Sequence, residues 1–171
     1  MKSAFLIATI VAATFFLEAD EGKRPQAEVL FFIATDCPVA NYYAPEINRI
    51  FSEYEAQGIV FSLIYPNTDL TEEEVATHRR DYDLKIEGRI DKDHILVKKS
   101  GATTTPEVAV FNADGKLIYR GMIDDLYTEL GDRRRVASQR YLRDVLALCL
   151  EQKGVVFSET KPIGCLIESI K

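Results

Sequence analysis

The sequence predicts an α/β fold in which helices flank a mixed central sheet within a single domain. Residues 29–33 and 59–65 are continuous apolar runs of strand length, separated by a segment with helical spacing. Runs of this kind are typical of parallel strands that are buried on both faces. Residues 108–111 and 117–120 flank the turn sequence Asn-Ala-Asp-Gly, which indicates an antiparallel hairpin. Parallel strands followed by an antiparallel pair predict a mixed sheet covered by helices.

The first helix is expected to begin soon after the first strand. Pro38 suits a first helical turn, because proline lacks the backbone N–H that would be unpaired there. Apolar side chains keep helical spacing from this point to Gly58, and Pro45 is expected to kink the helix.

The middle of the chain predicts two further helices and a short strand. Thr71 and Glu74 form a capping-box pattern, so a helix is expected from there to about Tyr82. Residues 86–90 suggest a short strand, and residues 94–99 suggest a short helix.

The last helix is expected to begin at Ser138, a residue type that favours the N-cap position, and to end at Gly154. Cys149 lies on the apolar side of this helix and is interpreted as a core residue.

The composition suits one globular domain and argues against a basic binding face. The chain has 171 residues, 47% of them hydrophobic, and a net charge of −6. This length supports a single core, whereas a nucleic acid or an acidic membrane would require a basic face. The run Arg133-Arg134-Arg135 adjoins Asp132 and is interpreted as a solvated surface. We therefore expect no nucleic-acid partner.

The N-terminus has the pattern of a secretory signal. Lys2 supplies a positive charge, and residues 4–17 are uncharged and almost entirely apolar. We expect residues 1–19 to be a signal peptide, with a retained anchor or a buried first strand as alternatives, and residues 20–171 to form the domain. Export to a periplasmic or other extracytoplasmic compartment favours disulfide chemistry. A membrane contact is expected only if the segment is retained as an anchor.

Cys37 is the leading candidate for chemistry. It lies at the expected junction between the first strand and the first helix. Unpaired backbone N–H groups and the positive end of the helix dipole favour a thiolate there, which is the form that attacks disulfides or peroxides. The alternative is a packed, unreactive free cysteine. Ala40 stands where a Cys-x-x-Cys enzyme has its second cysteine.

The Thr105-Pro106 step is the second candidate feature, because it directly precedes the first hairpin strand. An X-Pro bond can be cis. In this place, the backbone of Thr105 could pair with an extended substrate.

Together these features resemble the thioredoxin fold. Cys37-Pro38 follows a buried strand, and Thr105-Pro106 precedes a hairpin and a closing helix. The segments DCPVANYYAPEI, TPEVAVFNADGKLIYRGMIDD and GCLI are similar to bacterial redoxin-domain proteins of the alkyl hydroperoxide reductase and thiol-specific antioxidant group, over residues 28–167. The resemblance implies that Cys37 is a nucleophile and that Pro106 is a cis proline beside it.

The chain departs from these relatives near the cysteine. Asp36 replaces the tryptophan that often precedes it, and the charge of Asp36 is expected to raise the pKa of Cys37. Peroxiredoxins have a threonine three residues before the cysteine and an arginine further along. Here Thr35 is two residues before it, and Arg120 is the candidate arginine. Thr35, Asp36 and Arg120 are therefore interpreted as candidate modulators.

Cys165 is the candidate partner of Cys37. It follows Gly164 in the C-terminal tail, and glycine allows a tight turn. A tail of this kind can fold back and present Cys165 to Cys37. The alternatives are an intermolecular disulfide and a free surface thiol.

Neither a metal nor another cofactor is expected. Copper-delivering relatives of the fold use two cysteines and a histidine, and this ligand set is incomplete here. His78 lies on a charged helix and is interpreted as solvated, whereas His94 could reach a site only if its segment folds near Cys37. Asp124 and Asp125 are interpreted as caps of the next turn.

The sequence thus indicates thiol–disulfide exchange, in which Cys37 attacks, Cys165 resolves and Pro106 shapes the substrate loop. Thr105 and Pro38 are candidate substrate contacts. The expected partners are protein or small-molecule thiols and disulfides. One alternative is a thiol peroxidase that acts on peroxide through a sulfenic acid. The other is a non-catalytic binding module that has kept the fold and lost the dithiol.

Overall fold

A computed structural model of the chain describes residues 24–168, so the predicted signal peptide lies outside the described residues. The strands are β1 (Ala27–Phe32), β2 (Ile59–Tyr65), β3 (Gly88–Ile90), β4 (Thr104–Thr105), β5 (Glu107–Asn112), β6 (Leu117–Gly121), β7 (Tyr127–Glu129), β8 (Asp132–Arg133), β9 (Ser158–Glu159) and β10 (Cys165–Leu166). The helices are α1 (Pro38–Tyr54), α2 (Glu72–Asp81), α3 (Ile95–Ser100) and α4 (Tyr141–Leu150), and a 3₁₀ turn covers Glu55–Gln57.

Six strands form the central sheet, in the order β3-β2-β1-β5-β6-β9. β1 and β2 are parallel, as are β2 and β3, whereas β5 is antiparallel to both β1 and β6. β10 pairs with β4, and β7 pairs with β8, in two small separate sheets. The predicted mixed sheet and its hairpin are confirmed. Because β1 is an inner strand of the sheet, its carboxyl end lies near the middle of one sheet edge.

Hydrophobic side chains cover both faces of the central sheet. The larger core packs α1 and α4 against one face and includes Val29, Phe31, Leu63, Val108, Val110, Ile47, Ile50, Leu142 and Leu146. The smaller core packs α3 against the other face and contains Leu30, Phe32, Ile64, Ala102, Ala109 and Phe111. Successive residues of β1 alternate between the two cores, because side chains alternate across a strand. The β1 strand is therefore buried on both sides, as its continuous apolar run predicts.

The two predicted helix starts that follow strands β1 and β2 are both present. Cys37 is the N-cap of α1 and Pro38 is its first residue, with Pro45 inside the helix. For α2, the Glu74 N–H donates to Thr71 Oγ1 at 3.3 Å, and the Thr71 N–H donates to Glu74 Oε2 at 2.8 Å. This is the reciprocal capping box that the sequence predicts.

The predicted start and end of the last helix are wrong. Helix α4 begins at Tyr141 and ends at Leu150, not at Ser138 and Gly154. The carboxylate of Asp125 accepts the backbone N–H of Ser138 at 2.6 Å and its hydroxyl at 2.5 Å. Ser138 is therefore held in the loop before the helix by Asp125.

The tail after α4 returns across the sheet in two short strands. β9 pairs in parallel with β6, and the Thr160 N–H donates to the Arg120 carbonyl at 3.1 Å. Gly121 has a φ of +137°, and a Cβ there would overlap the Thr160 backbone. This close approach requires glycine. Within residues 24–168, no helix is both long and apolar enough to cross a membrane.

Candidate active site

Cys37 lies where the central strand of the sheet turns into helix α1. Its side chain is 0% exposed. Its carbonyl accepts the first helical hydrogen bond from the Asn41 N–H at 3.0 Å. The backbone of the first turn therefore points its unpaired N–H groups toward the sulfur, and Pro38 removes one donor that would otherwise be unsatisfied.

The loop that carries Thr105 and Pro106 faces this cysteine. The peptide bond between these two residues is cis. The Cys37 thiol donates to the Thr105 carbonyl at 3.0 Å. Two of the segments singled out from the sequence, which lie 68 residues apart, thus meet in direct contact.

The C-terminal tail brings Cys165 to the same point. Strand β10 is antiparallel to β4, with Cys165 opposite Thr105. A Cβ on Gly164 would overlap the Thr105 carbonyl, so only glycine permits this approach. Cys165 packs against the core cluster that contains Cys37, and both are free thiols in the structure.

The two thiols have opposite pKa shifts. Burial alone raises the pKa of Cys37, but hydrogen bonds from the Cys165 side chain, from the backbone N–H groups of Ala40 and Cys165 and from the Thr105 side chain outweigh it, so the pKa is lowered. Burial, the contact with Cys37 and the charge of Asp36 raise the pKa of Cys165 to about 11. Cys37 is therefore the more acidic thiol of the pair, and Cys165 is the one that holds its proton more firmly.

Asp36 is exposed and lies on the solvent side of the pair. Its charge contributes to the raised pKa of Cys165. The predicted effect of Asp36 on the pKa of Cys37 stays a prediction. By disfavouring a second negative charge beside the first, Asp36 keeps Cys165 in its protonated form.

Tyr127 and Tyr43 line the other side of the site, and the sequence analysis did not identify them. Burial raises the pKa of Tyr127, and the charge of Cys37 adds to this shift, so the phenol lies within electrostatic range of the sulfur. Its ring centroid is 5.8 Å from that of Tyr43. Both tyrosines contact a small void of about 10 Å³ that Pro106 also lines. The only sequence signal is that Tyr43 lies on the buried stripe of α1.

Asp124 is buried beneath these tyrosines. The Tyr43 hydroxyl donates to Asp124 Oδ1 at 2.6 Å, and the Leu126 N–H donates to the same oxygen at 2.9 Å. Burial raises the pKa of Asp124 although both hydrogen bonds oppose the shift. Asp124 thus orients Tyr43 from below and caps the adjacent turn through the Leu126 N–H, as expected. Asp125 instead accepts the backbone N–H groups of Ser138 and Gln139, which lie far along the chain.

Arg120 lies on the opposite face of the sheet from the cysteine pair. Its position on β6 is opposite Ala109, which belongs to the smaller core. Its guanidinium donates to the Gly101 carbonyl at 2.8 Å and to Glu159 at 2.6 Å, and it lies 3.5 Å from Glu107. The structure therefore does not bring Arg120 to Cys37, because these acidic groups hold it elsewhere.

Glu107 supports the loop that carries the cis proline. It is 1% exposed and accepts the N–H groups of Thr103 at 2.7 Å and Thr104 at 3.0 Å. Burial raises its pKa, while these hydrogen bonds and the charge of Arg120 oppose the rise. Glu107 therefore fixes the backbone of β4, the strand that contacts both cysteines.

Thr35 belongs to a buried polar network beside the cysteine. Its carbonyl accepts the Asn41 side-chain N–H at 3.0 Å. The Asn41 Oδ1 lies 2.8 Å from His78 Nε2, and His78 Nδ1 lies 2.9 Å from the Tyr65 hydroxyl. His78 is 6% exposed, so the predicted solvated histidine is wrong. Burial lowers its pKa, because the charged imidazolium is poorly solvated there.

An open cleft of about 620 Å³ borders Cys165 and Thr105. Its walls include Asp36, His94 and the outer edge of the tail strand. His94 is buried, and its Nε2 is 2.7 Å from the Pro66 carbonyl, which engages that ring nitrogen. In the described part of the chain, no three His, Cys, Asp or Glu side chains are grouped as metal ligands.

Comparison with known proteins gives a distant match to curated relatives. No protein-family model matches the chain. The thiol-disulfide oxidoreductase ResA of Bacillus thuringiensis subsp. konkukian is 29% identical over 114 residues, a region that covers 63% of this chain and 65% of the relative. The match thus spans less than two thirds of either protein.

Solved structures also match the chain. A hypothetical protein from Sinorhizobium meliloti 1021 is 23% identical with a TM-score of 0.71, covering 84% of this chain and 80% of that one. The thioredoxin domain of a thiol-disulfide oxidoreductase from Bacteroides vulgatus is 13% identical with a TM-score of 0.50, covering 58% of this chain and 71% of that one. The chain has a thioredoxin-like fold.

Within this thioredoxin-like fold, the second sulfur arrives from an unusual direction. Ala40, at the position of the second cysteine in a Cys-x-x-Cys motif, is 3% exposed and packs in the larger core. Cys165 instead approaches Cys37 from the C-terminal tail, along the loop of the cis proline.

Proposed function

We propose that the protein is a thiol–disulfide oxidoreductase in which Cys37 is the attacking thiolate and Cys165 is the resolving thiol. The observation that carries this proposal is the contact between two free thiols with opposite pKa shifts at the Thr105–Pro106 loop. A lowered pKa favours Cys37 over Cys165 as the attacking thiolate. The raised pKa of Cys165 keeps it protonated until Cys37 has reacted.

The reaction proceeds in two exchanges that conserve atoms and electrons. The Cys37 thiolate attacks one sulfur of a substrate disulfide, forms a mixed disulfide and releases the other substrate sulfur as a thiolate. Cys165 then loses its proton and attacks the Cys37 sulfur, which forms the Cys37–Cys165 disulfide and releases the second substrate thiolate. Overall, the substrate disulfide gains two electrons and leaves as two thiolates, the protein loses two electrons, and the one proton of Cys165 passes to a released thiolate or to solvent. The reverse sequence oxidises a substrate dithiol.

The same contacts explain why Cys165 becomes reactive at the second step. Once Cys37 is in a mixed disulfide it carries no charge, so the contribution of its charge to the raised pKa of Cys165 disappears. A fall in this pKa increases the thiolate fraction of the resolving cysteine when it is needed. Thr105 and Pro106 hold the loop against which a substrate sulfur would lie, and Pro38 fixes the first turn of α1.

The relatives support this chemistry. The match to ResA, which is named a thiol-disulfide oxidoreductase, covers 63% of the chain. Thiols and disulfides of proteins or small molecules are thus the proposed partners, and the exchange uses no cofactor because sulfur supplies the electrons.

The peroxidase alternative has less support. It relies on Thr35 and Arg120 near the sulfur, but the Thr35 carbonyl is engaged by Asn41, and Arg120 is bound to acidic groups on the far face. A non-catalytic binding module leaves the lowered pKa of a buried thiol without a role. Both alternatives are separated from disulfide exchange by the experiment below.

We also propose that the domain acts outside the cytoplasm. The support is the charged and apolar pattern of residues 1–19, followed by residues 20–171 as the domain. In such a compartment, a pair of cysteines can cycle between dithiol and disulfide. Sequencing the N-terminus of the native protein tests this assignment, because cleavage leaves a new terminus near residue 20.

The full-length protein tests the redox proposal directly. After oxidation with glutathione disulfide, peptide mapping by mass spectrometry is expected to find Cys37 linked to Cys165, with Cys149 free. Cys37→Ser is expected to abolish reduction of a protein disulfide such as that of insulin, and Cys165→Ser to accumulate a mixed disulfide. Cys149→Ser is the matched control and is expected to retain activity, because this thiol is buried in α4 and burial raises its pKa.

Two results would reject the proposal. If Cys37→Ser retains full disulfide reduction, the activity does not depend on the site. If hydrogen peroxide is consumed with a thiol reductant while insulin stays intact, the chain is a peroxidase. Three free thiols after oxidation, with no activity in either assay, identify the binding module.

A further inference from the structure

The C-terminal tail of the chain covers Cys37 and excludes solvent from its sulfur. Cys37 is 0% exposed, and Cys165 packs against its cluster from strand β10. Attack on a disulfide requires the incoming sulfur to align with the Cys37 sulfur. An external substrate therefore cannot reach Cys37 while β10 remains in this position.

The tail occupies the edge of β4 as a strand. Cys165 lies opposite Thr105 and Leu166 lies opposite Thr104 in an antiparallel register. The Ile167 N–H donates to the Thr103 carbonyl at 2.9 Å, and the Thr105 hydroxyl donates to the Cys165 carbonyl at 3.4 Å. The tail thus covers the edge of β4 and the adjoining Thr103 carbonyl, with which an extended peptide would otherwise pair.

The pairing of β10 with β4 restricts the side chain at two positions and leaves a third open. Before the cysteine, only glycine fits, because a Cβ on Gly164 would overlap the Thr105 carbonyl and approach the Pro106 ring. After the cysteine, Leu166 is 81% exposed, so that position is open to any side chain. Two residues after the cysteine, Ile167 packs on the smaller core.

We propose that β10 is an internal competitor of the substrate protein, and that an extended segment of the substrate must displace β10 from the edge of β4 to reach Cys37. The segment that replaces β10 has glycine directly before its reactive cysteine and an aliphatic residue two positions after it. This inference rests on the proposed disulfide exchange and adds its substrate specificity: a protein disulfide in a Gly-Cys-x-aliphatic segment.

The construction of the tail allows such a replacement. Upstream, the tail is held independently, since the Thr160 N–H donates to Arg120 and its hydroxyl accepts the Met122 N–H at 2.8 Å. Beyond this anchor, β10 is only two residues long. It can therefore leave β4 without disturbing the anchor, and a segment with the same backbone pairing offsets the lost contacts.

The test uses peptide disulfides and the full-length chain with Cys165→Ser, which prevents internal resolution. The probe is the tail sequence Lys-Pro-Ile-Gly-Cys-Leu-Ile-Glu, with its cysteine linked to thionitrobenzoate. Attack by Cys37 forms the protein–peptide disulfide and releases the coloured thionitrobenzoate anion, which gives the rate. One comparison peptide has alanine in place of glycine, and another has aspartate in place of the second isoleucine. A Cys37→Ser version measures any background from Cys149.

Three protein forms distinguish a tail that is paired with β4, called seated, from a tail that is displaced from β4, called unseated. Cys165→Ser alone keeps the tail on β4, and adding Gly164→Ala removes it by the overlap with Thr105. Adding Leu166→Ala instead is the matched control, because that side chain is largely exposed. We expect the unseated form to react about tenfold faster with the glycine peptide, the effect of removing about one competing hydrogen bond. The Leu166 control is expected to react as the seated form does.

The glycine peptide is expected to react about tenfold faster than either comparison peptide, for the same energetic reason. This comparison needs only the Cys165→Ser protein, so it stands even if the Gly164 variant folds poorly. Equal rates for the three peptides overturn the proposed specificity, and a slower unseated form overturns the competition by β10. If Cys37 fails to react even with a small aromatic disulfide in the unseated form, the disulfide exchange itself fails.

Discussion

Removing the hydrogen-bond donor of Cys165 is expected to raise the pKa of Cys37. The Cys165 side chain is the largest of the contributions that lower this pKa. Because the pKa of Cys165 is raised to about 11, its sulfur carries a proton at neutral pH and can donate it in a hydrogen bond. Cys165→Ala removes this donor, whereas Cys165→Ser keeps an O–H at the same place.

The size of the change follows from the energy of one charge-assisted hydrogen bond. Such a bond contributes about 1.5–3 kcal/mol, and one pKa unit corresponds to about 1.4 kcal/mol. The alanine variant is therefore expected to raise the pKa of Cys37 by about one to two units, and the serine variant by less than about one unit.

The assay is the rate of Cys37 alkylation by iodoacetamide between pH 4 and pH 10 in the full-length reduced protein. Mass spectrometry of the Cys37 peptide separates its labelling from that of Cys149. Leu166→Ala serves as the control, because its side chain is 81% exposed and makes no contact with the sulfur pair on which the shift depends. If the alanine and serine variants give the same alkylation midpoint, the Cys165 donor does not stabilise the thiolate, and the reasoning is refuted.

Three further predictions concern stability, each measured by urea unfolding. Burial lowers the folded-state pKa of His78 below its ordinary 6.5, so its contribution to stability is complete above pH 6.5 and is lost as the pH falls below that value. His78→Gln is expected to flatten this loss, and parallel plots of unfolding free energy against pH for the two proteins would contradict it. Glu107→Ala leaves the N–H groups of Thr103 and Thr104 without their acceptor and is expected to lower the free energy of unfolding by about 3–5 kcal/mol. A loss below about 1 kcal/mol would argue against the role of Glu107 in fixing this loop. Thr71→Ala removes one half of a capping box and is expected to cost about 1 kcal/mol, and an unchanged midpoint would show that the cap is dispensable.

The features predictable from sequence were those with a local cause. The apolar run of β1 needs burial on both faces whatever surrounds it, and the capping box of α2 satisfies backbone groups within four residues. Cys37 and Pro38 could be placed at the start of α1 for the same reason. In each case, the physical requirement and the residues that meet it are adjacent in the chain.

The predictions that were wrong concern residues whose hydrogen-bond partners lie far away in sequence. His78 follows a charged pattern on α2, but Tyr65 and Asn41, which bury it, come from β2 and α1. Ser138 was expected to cap α4, but Asp125 engages both its N–H and its hydroxyl. Each requirement is met by a side chain that no local pattern reveals.

The path of the C-terminal tail also depends on contacts between residues that are distant in sequence. Residues near Cys165 show that a turn is possible, but its course depends on Thr160 meeting Gly121 and on Gly164 meeting Thr105. Tyr127 was missed because its approach to Cys37 depends on the loop after β6. The sequence therefore supports both a paired and an unpaired Cys165, and the fold adds that Cys165 packs against the cluster that contains Cys37.

The separation of the two cysteines also links the oxidation state of the protein to its resistance to unfolding. Cys37 and Cys165 enclose nearly the whole described domain, whereas a Cys-x-x-Cys pair encloses four residues. In the chain-entropy account, a cross-link over a loop of this size restricts the unfolded chain by about 5 kcal/mol, against about 2 kcal/mol for the four-residue loop. A redox cycle through this pair would therefore alternate the domain between a loosely and a strongly cross-linked state, and the melting temperature would report the balance of thiols in its compartment.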